Sequence, residues 1–511
     1  MAKNLVYDVH ETPKFNKLII FALQQLLAIL AATIAVPSII GLPTQIPAAI
    51  FGAGIGTLVY QLFTRFKSPV FLGSSFAFLN SLAVAITYGY CGIVLGSIVA
   101  GLVYVAIALV IHFVGTDWVA KLMPPVIIGP TVALIGLSLA VNAMGDITKA
   151  NASTWNQTYN LVALLCGLVT FATVVICSTQ KKFTMPKLIP FILGIGAGYI
   201  TASLFTIIGI LTKCDYLMIV DWSGIKANFV DQSGEFTGLS AFLTAPKFAL
   251  FEGIKELMNG EVGSEIMKAS KSSATFITWG GVAEVVIAFL PVALVVFAEH
   301  IADHKNLSTI IEKDLIKEPG LKRTLLGDGV GSIAGTLLGI CPNTTYGESV
   351  GCVAITKNAS VFTITVTAIM CIVLSFISPI MVILQSIPSC VMGGVCLTLY
   401  GFIAVSGLKM FKEVDLSENK NLFVVSAILI AGIGGLTIQI PYTSEIATVF
   451  FVDYSSGAAE LASKLDGFTK VIKVTPIATA LILGIVTNFV LGKIEKSKFG
   501  KEPEETKEIA E

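Results

Sequence analysis

Apolar residues in this chain arrive in blocks of about 20, the length a helix needs to cross the hydrocarbon of a bilayer. The blocks run near 18–37, 45–63, 70–87, 92–113, 123–143, 159–178 and 188–212, then, after a long polar stretch, near 278–304, 325–340, 345–356, 359–385, 388–408, 421–440 and 472–492. This pattern predicts fourteen segments in two groups of seven. The blocks near 70–87 and 345–356 are too short or too polar for ordinary spans, and each holds the third place in its group. The pattern is unlike the roughly ten-residue alternating strands of an outer-membrane barrel. The expected fold class is an all-α polytopic membrane protein.

The two groups resemble each other weakly. Residues 123–130 (MPPVIIGP) match 387–394 (IPSCVMGG) with Pro124 over Pro388 and Gly129 over Gly393, each at the start of a fifth segment. Ser74-Ser75-Phe76 and Thr344-Thr345-Tyr346 both read hydroxyl, hydroxyl, aromatic inside the odd third segment. One short match arises easily by chance in apolar sequence; two in the same order argue against chance. An odd number of spans inverts the second copy, the plan in which broken helices meet at the membrane midplane and offer dipoles and backbone groups to a substrate.

Lys and Arg in short loops orient the chain. Arg65 and Lys67, Lys181, Lys182 and Lys187, the group Lys305 to Arg323, Lys409 to Lys420 and Lys493 to Lys498 fall on alternate loops, which places that side and both termini in the cytoplasm. The long loop near 213–276 and the 441–470 loop, with Asp215, Asp221, Asp231, Glu235, Glu261 and Glu445, then face outward. The resulting division is a cytoplasmic tail 1–17, a first repeat 18–212, an outer loop 213–276, a second repeat 277–492 and a tail 493–511. The N-terminus lacks the apolar core and cleavage site of a signal peptide.

Composition narrows the function. Of 511 residues 55% are hydrophobic and only 13% charged, against about 25% charged in soluble domains. Thirty-three basic and 33 acidic residues leave no field for nucleic acid, and nine cysteines without a CxxC pair read as buried hydrophobes rather than a disulfide or metal framework. No cofactor motif appears. With four histidines, two of them remote, and no Cys or His cluster, a membrane-embedded enzyme is a poor reading.

Three constellations carry chemistry. After Pro291 nothing stops the eighth helix before Pro319, so it is expected to run past His304, placing Glu299 and Asp303 one turn apart on one face. Acids on the inward face of a span are proton-relay or substrate groups by default; the alternative is that 299–304 is the polar end of the helix. In Cys341-Pro-Asn-Thr-Thr-Tyr-Gly-Glu348-Ser-Val-Gly351, residues 343–346 suit an extended piece and those after Glu348 a short helix. Glu348 then stands beside free N–H groups at a helix start, a donor and acceptor set for a small neutral heterocycle, or else only caps its helix. Leu72 to Phe78 has the same shape without charge. Asp328 reads as a start or cap of the ninth helix, and one of Gln24 and Gln25 is expected to face the interior.

At these residues the chain resembles the nucleobase/ascorbate transporter family, also called nucleobase:cation symporter-2. The likeness rests on Ala298-Glu299-His300 with Asp303, and on Asn343 to Glu348 with Gly351, Thr356 and Lys357; it is greatest to bacterial uracil permeases and runs from Gln24 to the last span. It implies fourteen segments in two inverted repeats with short extended strands in segments 3 and 10. A core domain of segments 1–4 and 8–11 and a gate domain of 5–7 and 12–14 are implied too, as are a homodimer, no cofactor, and proton-coupled uptake of uracil across the plasma membrane. By position it implies that Glu299 and Glu348 hydrogen-bond the base, that Phe76 and Gly347 offer backbone N–H groups, and that Tyr346, Ser349 and Ala32 line the site. Asp303 would be the coupling partner of Glu299. The chain departs from the family in having Ser349 where Asn is usual, Asp303 where some uracil permeases have His, Gln25 where His is common, and a longer outer loop. Glu348 in place of Gln favours uracil over the xanthine and urate members. An anion transporter on the same plan is the other alternative, and would be expected to present a cation or neutral helix ends instead of two acids.

Overall fold

The computed structural model describes residues 5–150, 159–180, 186–187, 189–231, 233–270, 274–442 and 470–499. Lys181, Lys182, Glu445, most of the 441–470 loop and the ends of both tails lie outside the described residues. In chain order the first half contains α1 (Phe15–Ile39), α2 (Ile46–Phe63), strand β1 (Leu72–Ser74), α3 (Leu79–Ala85), α4 (Gly89–Val114), α5 (Asp117–Leu122), α6 (Pro125–Asp146), α7 (Leu161–Thr179) and α8 (Pro190–Thr212). The connecting region holds α9 (Ser223–Phe229), α10 (Ala249–Asn259) and α11 (Ser264–Ala269). The second half contains α12 (Trp279–Ile311), α13 (Leu321–Leu337), β2 (Asn343–Thr345), α14 (Gly347–Thr356), α15 (Val361–Leu374), α16 (Ser378–Gln385), α17 (Ser389–Lys409), α18 (Asn419–Ile433), the hairpin strands β3 (Ile438–Tyr442) and β4 (Lys470–Val474), and α19 (Pro476–Phe499). Among the described residues nine helical stretches are long and apolar enough to cross a membrane.

Two runs are interrupted. The block at 359–385 divides before Ser378, because Pro379 lacks the N–H to continue a helix and starts the next one. The block at 421–440 stops being helical at Ile433, where Gly434 and the positive-φ Gly435 (φ 74°) end the helix and Ile438–Tyr442 goes extended. The stretch read as an N-terminal tail is docked: Ala359 N donates to Tyr7 O (2.9 Å), Val361 N to Val9 O (3.0 Å), and Lys313 pairs with Asp8 at 2.7 Å.

The helices form two packed groups. In one, α13 lies on α2 and α4, α12 on α4, and α15 on α1 and α2; in the other, α17 lies on α6 and α7, α7 on α8, and α18 on α6 and α19. The faces of α1 and α12 meet α6, α8, α17 and α19 between the groups. Within each group small residues set the spacing, as expected where apolar burial does not distinguish helix from lipid. A Cβ on Gly52 of α2 would lie 2.1 Å from Gly335 O of α13, and one on Gly407 of α17 would lie 2.2 Å from Ala133 N of α6. The fifth-segment match has a structural counterpart, since Pro124 (φ −70°, ψ 162°) and Pro388 (φ −70°, ψ 152°) precede α6 and α17 in the same conformation.

Helix α12 continues for 33 residues through Pro291 and past His304. Glu299 and Asp303 lie on one of its faces, His300 and His304 on the next. The histidines clamp the helix in place. His300 Nδ1 meets Asp328 Oδ2 at 2.7 Å and its Nε2 meets Thr324 Oγ1 at 3.0 Å, while the Thr324 hydroxyl donates to Leu321 O. With that hydroxyl proton already used, Nε2 must be the donor, so a single proton is shared between His300 Nδ1 and Asp328. His304 Nδ1 donates to His300 O (2.8 Å) and Nε2 accepts from Tyr60 OH (2.8 Å), which is bonded to Ser68 (2.8 Å). Asp328 is therefore neither the start nor the cap of its helix: it is fully buried in the middle of α13, where only His300 makes its burial tolerable.

Two stability outcomes follow. Gly52→Ala should cost about 1–3 kcal/mol through overpacking against Gly335, whereas Gly401→Ala, with nothing within 4 Å of the added carbon, should cost nothing measurable; thermal unfolding in one detergent reads both. Asp328→Ala leaves His300 Nδ1 without its partner and should cost about 3 kcal/mol or more, with Asp328→Asn milder because the amide NH2 can donate to Nδ1. Equal stability of the parent and Asp328→Ala would show that the pair does not hold α12.

Candidate substrate site

The two odd segments meet. Strands β1 and β2 pair antiparallel with Leu72 opposite Thr345, Gly73 opposite Thr344 and Ser74 opposite Asn343. Ser75 N donates to Pro342 O (2.9 Å) and Tyr346 N to Phe71 O (3.1 Å), so the cross-strand bonds end just before Phe76 and Gly347. Beyond each strand the chain turns helical, at once in α14 and three residues later in α3, where Leu79 N donates to Phe76 O (3.1 Å). Asn343 anchors the crossing by donating from Nδ2 to Gly52 O (3.0 Å).

Tyr346 lies flat across β1. A Cβ on Gly73 would fall 2.3 Å from its ring, which is why the first strand needs glycine there. The Tyr346 hydroxyl donates to Ser74 O (3.1 Å) and accepts from Thr33 Oγ1 (3.3 Å) on α1, next to the fully buried Ala32. Ser349 is turned toward α1, where its hydroxyl accepts from Gln25 Nε2; Gln24 and Gln25 are both buried.

Gly347 is exposed and Glu348 half-buried inside the bundle, and the first-turn N–H groups of α14 there have no partner within the helix. A Cβ built on Gly347 would find its nearest neighbour, Asp303 Oδ1, only at 4.0 Å. That open space is bounded by the acids of α12. Asp303 is buried and its Oδ2 accepts from Thr345 Oγ1 at 2.6 Å, tying α12 to β2. Glu299 is half-buried, within electrostatic reach of Asp303 and Glu348, and its Oε2 has no hydrogen-bond partner among the described residues. None of the ion pairs among the described residues involves Glu299, Asp303 or Glu348. The space thus offers helix N–H donors on one side and carboxylates on the other, with an aromatic ring beside it. Such a set suits a planar neutral molecule with alternating donors and acceptors.

The structure brings Glu299, Asp303, Gly347 and Glu348 to one end of the strand crossing, with Tyr346 laid over β1, puts Phe76 just beyond its other end, and places Ala32 and Ser349 in the packing behind it. Two participants were not legible in the sequence. Tyr400 of α17, buried, meets the ring of Phe76 edge-on with centroids 5.3 Å apart, so the second helix group reaches the site; it sits in an ordinary apolar run with no local signal. Thr345, read only as part of a hydroxyl pair, holds Asp303. No group of His, Cys, Asp and Glu among the described residues has the arrangement of a metal site.

A family profile described as "Permease family" matches residues 16–440. A uracil permease of Bacillus caldolyticus is 35% identical over 444 residues, covering 86% of this chain and 90% of the relative. A uracil permease of Bacillus subtilis (strain 168) is 34% identical over 499 residues, 97% of each chain, and one of Escherichia coli (strain K12) is 31% identical over 435 residues, 84% of this chain and 88% of the relative. Among solved structures, that of SLC26A9 overlays 95% of this chain and 67% of its own with TM-score 0.53 at 10% identity, a likeness of fold alone. Matched over most of its length by the profile and by relatives above 30% identity, the chain belongs to this permease family, multi-pass membrane transporters and not enzymes.

Proposed function

We propose that this protein takes up a nucleobase, uracil in preference to purines, together with a proton. The observation that carries this reading is the meeting of Glu299, Glu348 and the open N-terminal turn of α14 at the strand crossing. A uracil ring presents two carbonyls and two N–H groups. The N–H groups of Gly347 and Phe76 match the carbonyls, and the carboxylates match the ring donors. Tyr346 and Phe76 flank the ring. The uracil permeases among the relatives support the same substrate class. A solved structure alike in fold is that of an anion transporter, but acids at the binding point repel an anion, so that reading is second, as is a xanthine or urate permease.

Three acids that no cation among the described residues faces are costly at membrane depth. A proton taken up with the substrate relieves that cost, lets Glu299 donate to a uracil carbonyl, and is lost again on release. The fourteen segments then form two inverted repeats. The group around α2, α4 and α13 serves as the core domain and the group around α6, α17 and α18 as the gate domain, with Phe76 and Tyr400 at their contact. Alternating access is movement of one group past the other in the plasma membrane of a homodimer with both termini cytoplasmic.

Glu348→Gln replaces an acceptor by an amide whose NH2 faces a ring donor, and uracil affinity in a calorimetric titration should fall at least about tenfold. Gly347→Val fits the open space in front of α14 and should unfold at the parental temperature while binding no uracil; retained transport would remove Gly347 from the site. Glu299→Gln mimics the protonated acid. It should bind uracil with a flattened pH dependence relative to the parent, yet fail to concentrate uracil in vesicles under an imposed proton gradient. If it still concentrates uracil, coupling resides elsewhere, with Asp303 next in line.

A further inference from the structure

The region between α8 and α12 exposes more apolar surface than a water-facing loop sustains. Its helix α10 has three distinct faces. Ala249, Gly253 and Glu256 are buried against the start of α4; Glu252 and Lys255 form an ion pair at 2.6 Å on a polar side. On the remaining side Phe251, Ile254, Leu257 and Met258 are 52%, 42%, 57% and 81% exposed. At helical spacing these four occupy an arc of about 120°. A helix has three environments of this kind when one face rests on protein, one meets water and one meets something apolar.

Glu256 fixes α10 in position. Its Oε2 accepts from the backbone N–H of Tyr90 (2.7 Å) and of Cys91 (3.3 Å), first-turn donors of α4 that lack helical partners, and its Oε1 accepts from Gly263 N (3.1 Å). Cys91 Sγ adds a bond to Gly253 O at 3.2 Å. The helix therefore crosses the N-terminal end of α4, on the side where α12 begins. Along α4 itself Leu102 and Val110 are 55% and 45% exposed. The approach to α12 is tied to the same bend through Thr275 N and Thr87 O (2.8 Å), and it leads to Trp279, 86% exposed at the very start of an apolar span. An exposed tryptophan in that place marks the membrane–water boundary. At eleven residues α10 is roughly 16 Å long, too short to span about 30 Å of hydrocarbon and suited to lie in the boundary plane.

We propose that α10 is an interfacial membrane anchor whose Phe251, Ile254, Leu257 and Met258 side sits at the headgroup–acyl boundary of the bilayer, while Glu256 fastens it to α4. The anchor sets the depth of the α3–α4 bend and so of the half-helix that follows Phe76. It rests on membership of a membrane permease family and not on the identity of the substrate.

The test uses the full chain in lipid nanodiscs, with Met258→Trp on the apolar arc, Phe251→Trp as a second reporter on the same arc, and Lys255→Trp on the polar side. The emission of the four native tryptophans is subtracted using the parent. Phosphatidylcholine brominated near the headgroup end of its acyl chains is the lipid probe, and acrylamide the aqueous one. Brominated lipid should quench the added emission of Met258→Trp and Phe251→Trp at least about twofold with little effect of acrylamide, and Lys255→Trp should behave in the opposite way. Quenching of the arc reporters by acrylamide alone would place that face in water, and resistance to both probes would place it against a second copy of the chain; either result overturns the proposal. Equilibrium uracil binding measured on the same nanodiscs reports separately on the substrate reading.

Discussion

Backbone N–H and C=O groups at membrane depth find no water, so two segments that stop being helical there must bond to each other. The rest of the structure hangs on that constraint. β1 and β2 satisfy it with three opposed residue pairs and one further bond at each end. Because pairing consumes the extended residues and then stops, helix starts with free N–H groups are left inside the bundle, beside Phe76 and Gly347. A continuous helix in either place would have used those donors within itself, and the site would have no backbone to offer.

Holding the crossing in place takes close packing and buried polar pairing together. Glycines on α2 and α13 bring the two helices near enough for Asn343 to reach Gly52 O, which a methylene at either surface would prevent. Helix α12 is held from two sides. Its histidine face is bonded to α13 and α2 through Asp328, Thr324 and Tyr60, while Asp303 on the acid face is bonded to β2 through Thr345. Glu299, on the same face as Asp303, has a buried Oε2 with no hydrogen-bond partner among the described residues. The helix is thereby held on both sides of the turn that carries Glu299, as a preorganised side chain requires.

Much of the plan was legible along the chain, because its signals are local. Block length located the nine long apolar helices among the described residues, the shortness of the third blocks marked the broken segments, and the absence of Gly or Pro after Pro291 carried α12 beyond the point where hydropathy falls. Glu348 at a helix start needed only the change from Asn-Thr-Thr to a helix-compatible run. The same local reading failed at Asp328. An acid between two glycines looks like a helix end, and only its partner His300, on another helix, reveals a buried pair. It failed likewise at 359–385 and 421–440, where uniform apolar composition hid the breaks made by Pro379 and by Gly434 and Gly435.

The amino-acid order by itself determined where the long apolar helices lie, that the two third segments are broken and that Glu299 and Asp303 share a face of one helix, since hydrophobicity, turn residues and helix period act over a few neighbours. Tertiary structure decided what those acids face. Gly347 opens onto Asp303, Tyr400 of one helix group meets Phe76 of the other, and the tail residues Tyr7 and Val9 bond to Ala359 and Val361, all contacts between positions far apart in the chain. No local pattern encodes such pairs, because whether two distant side chains meet depends on how helices cross, and the crossings are set by close contacts of small residues throughout the bundle.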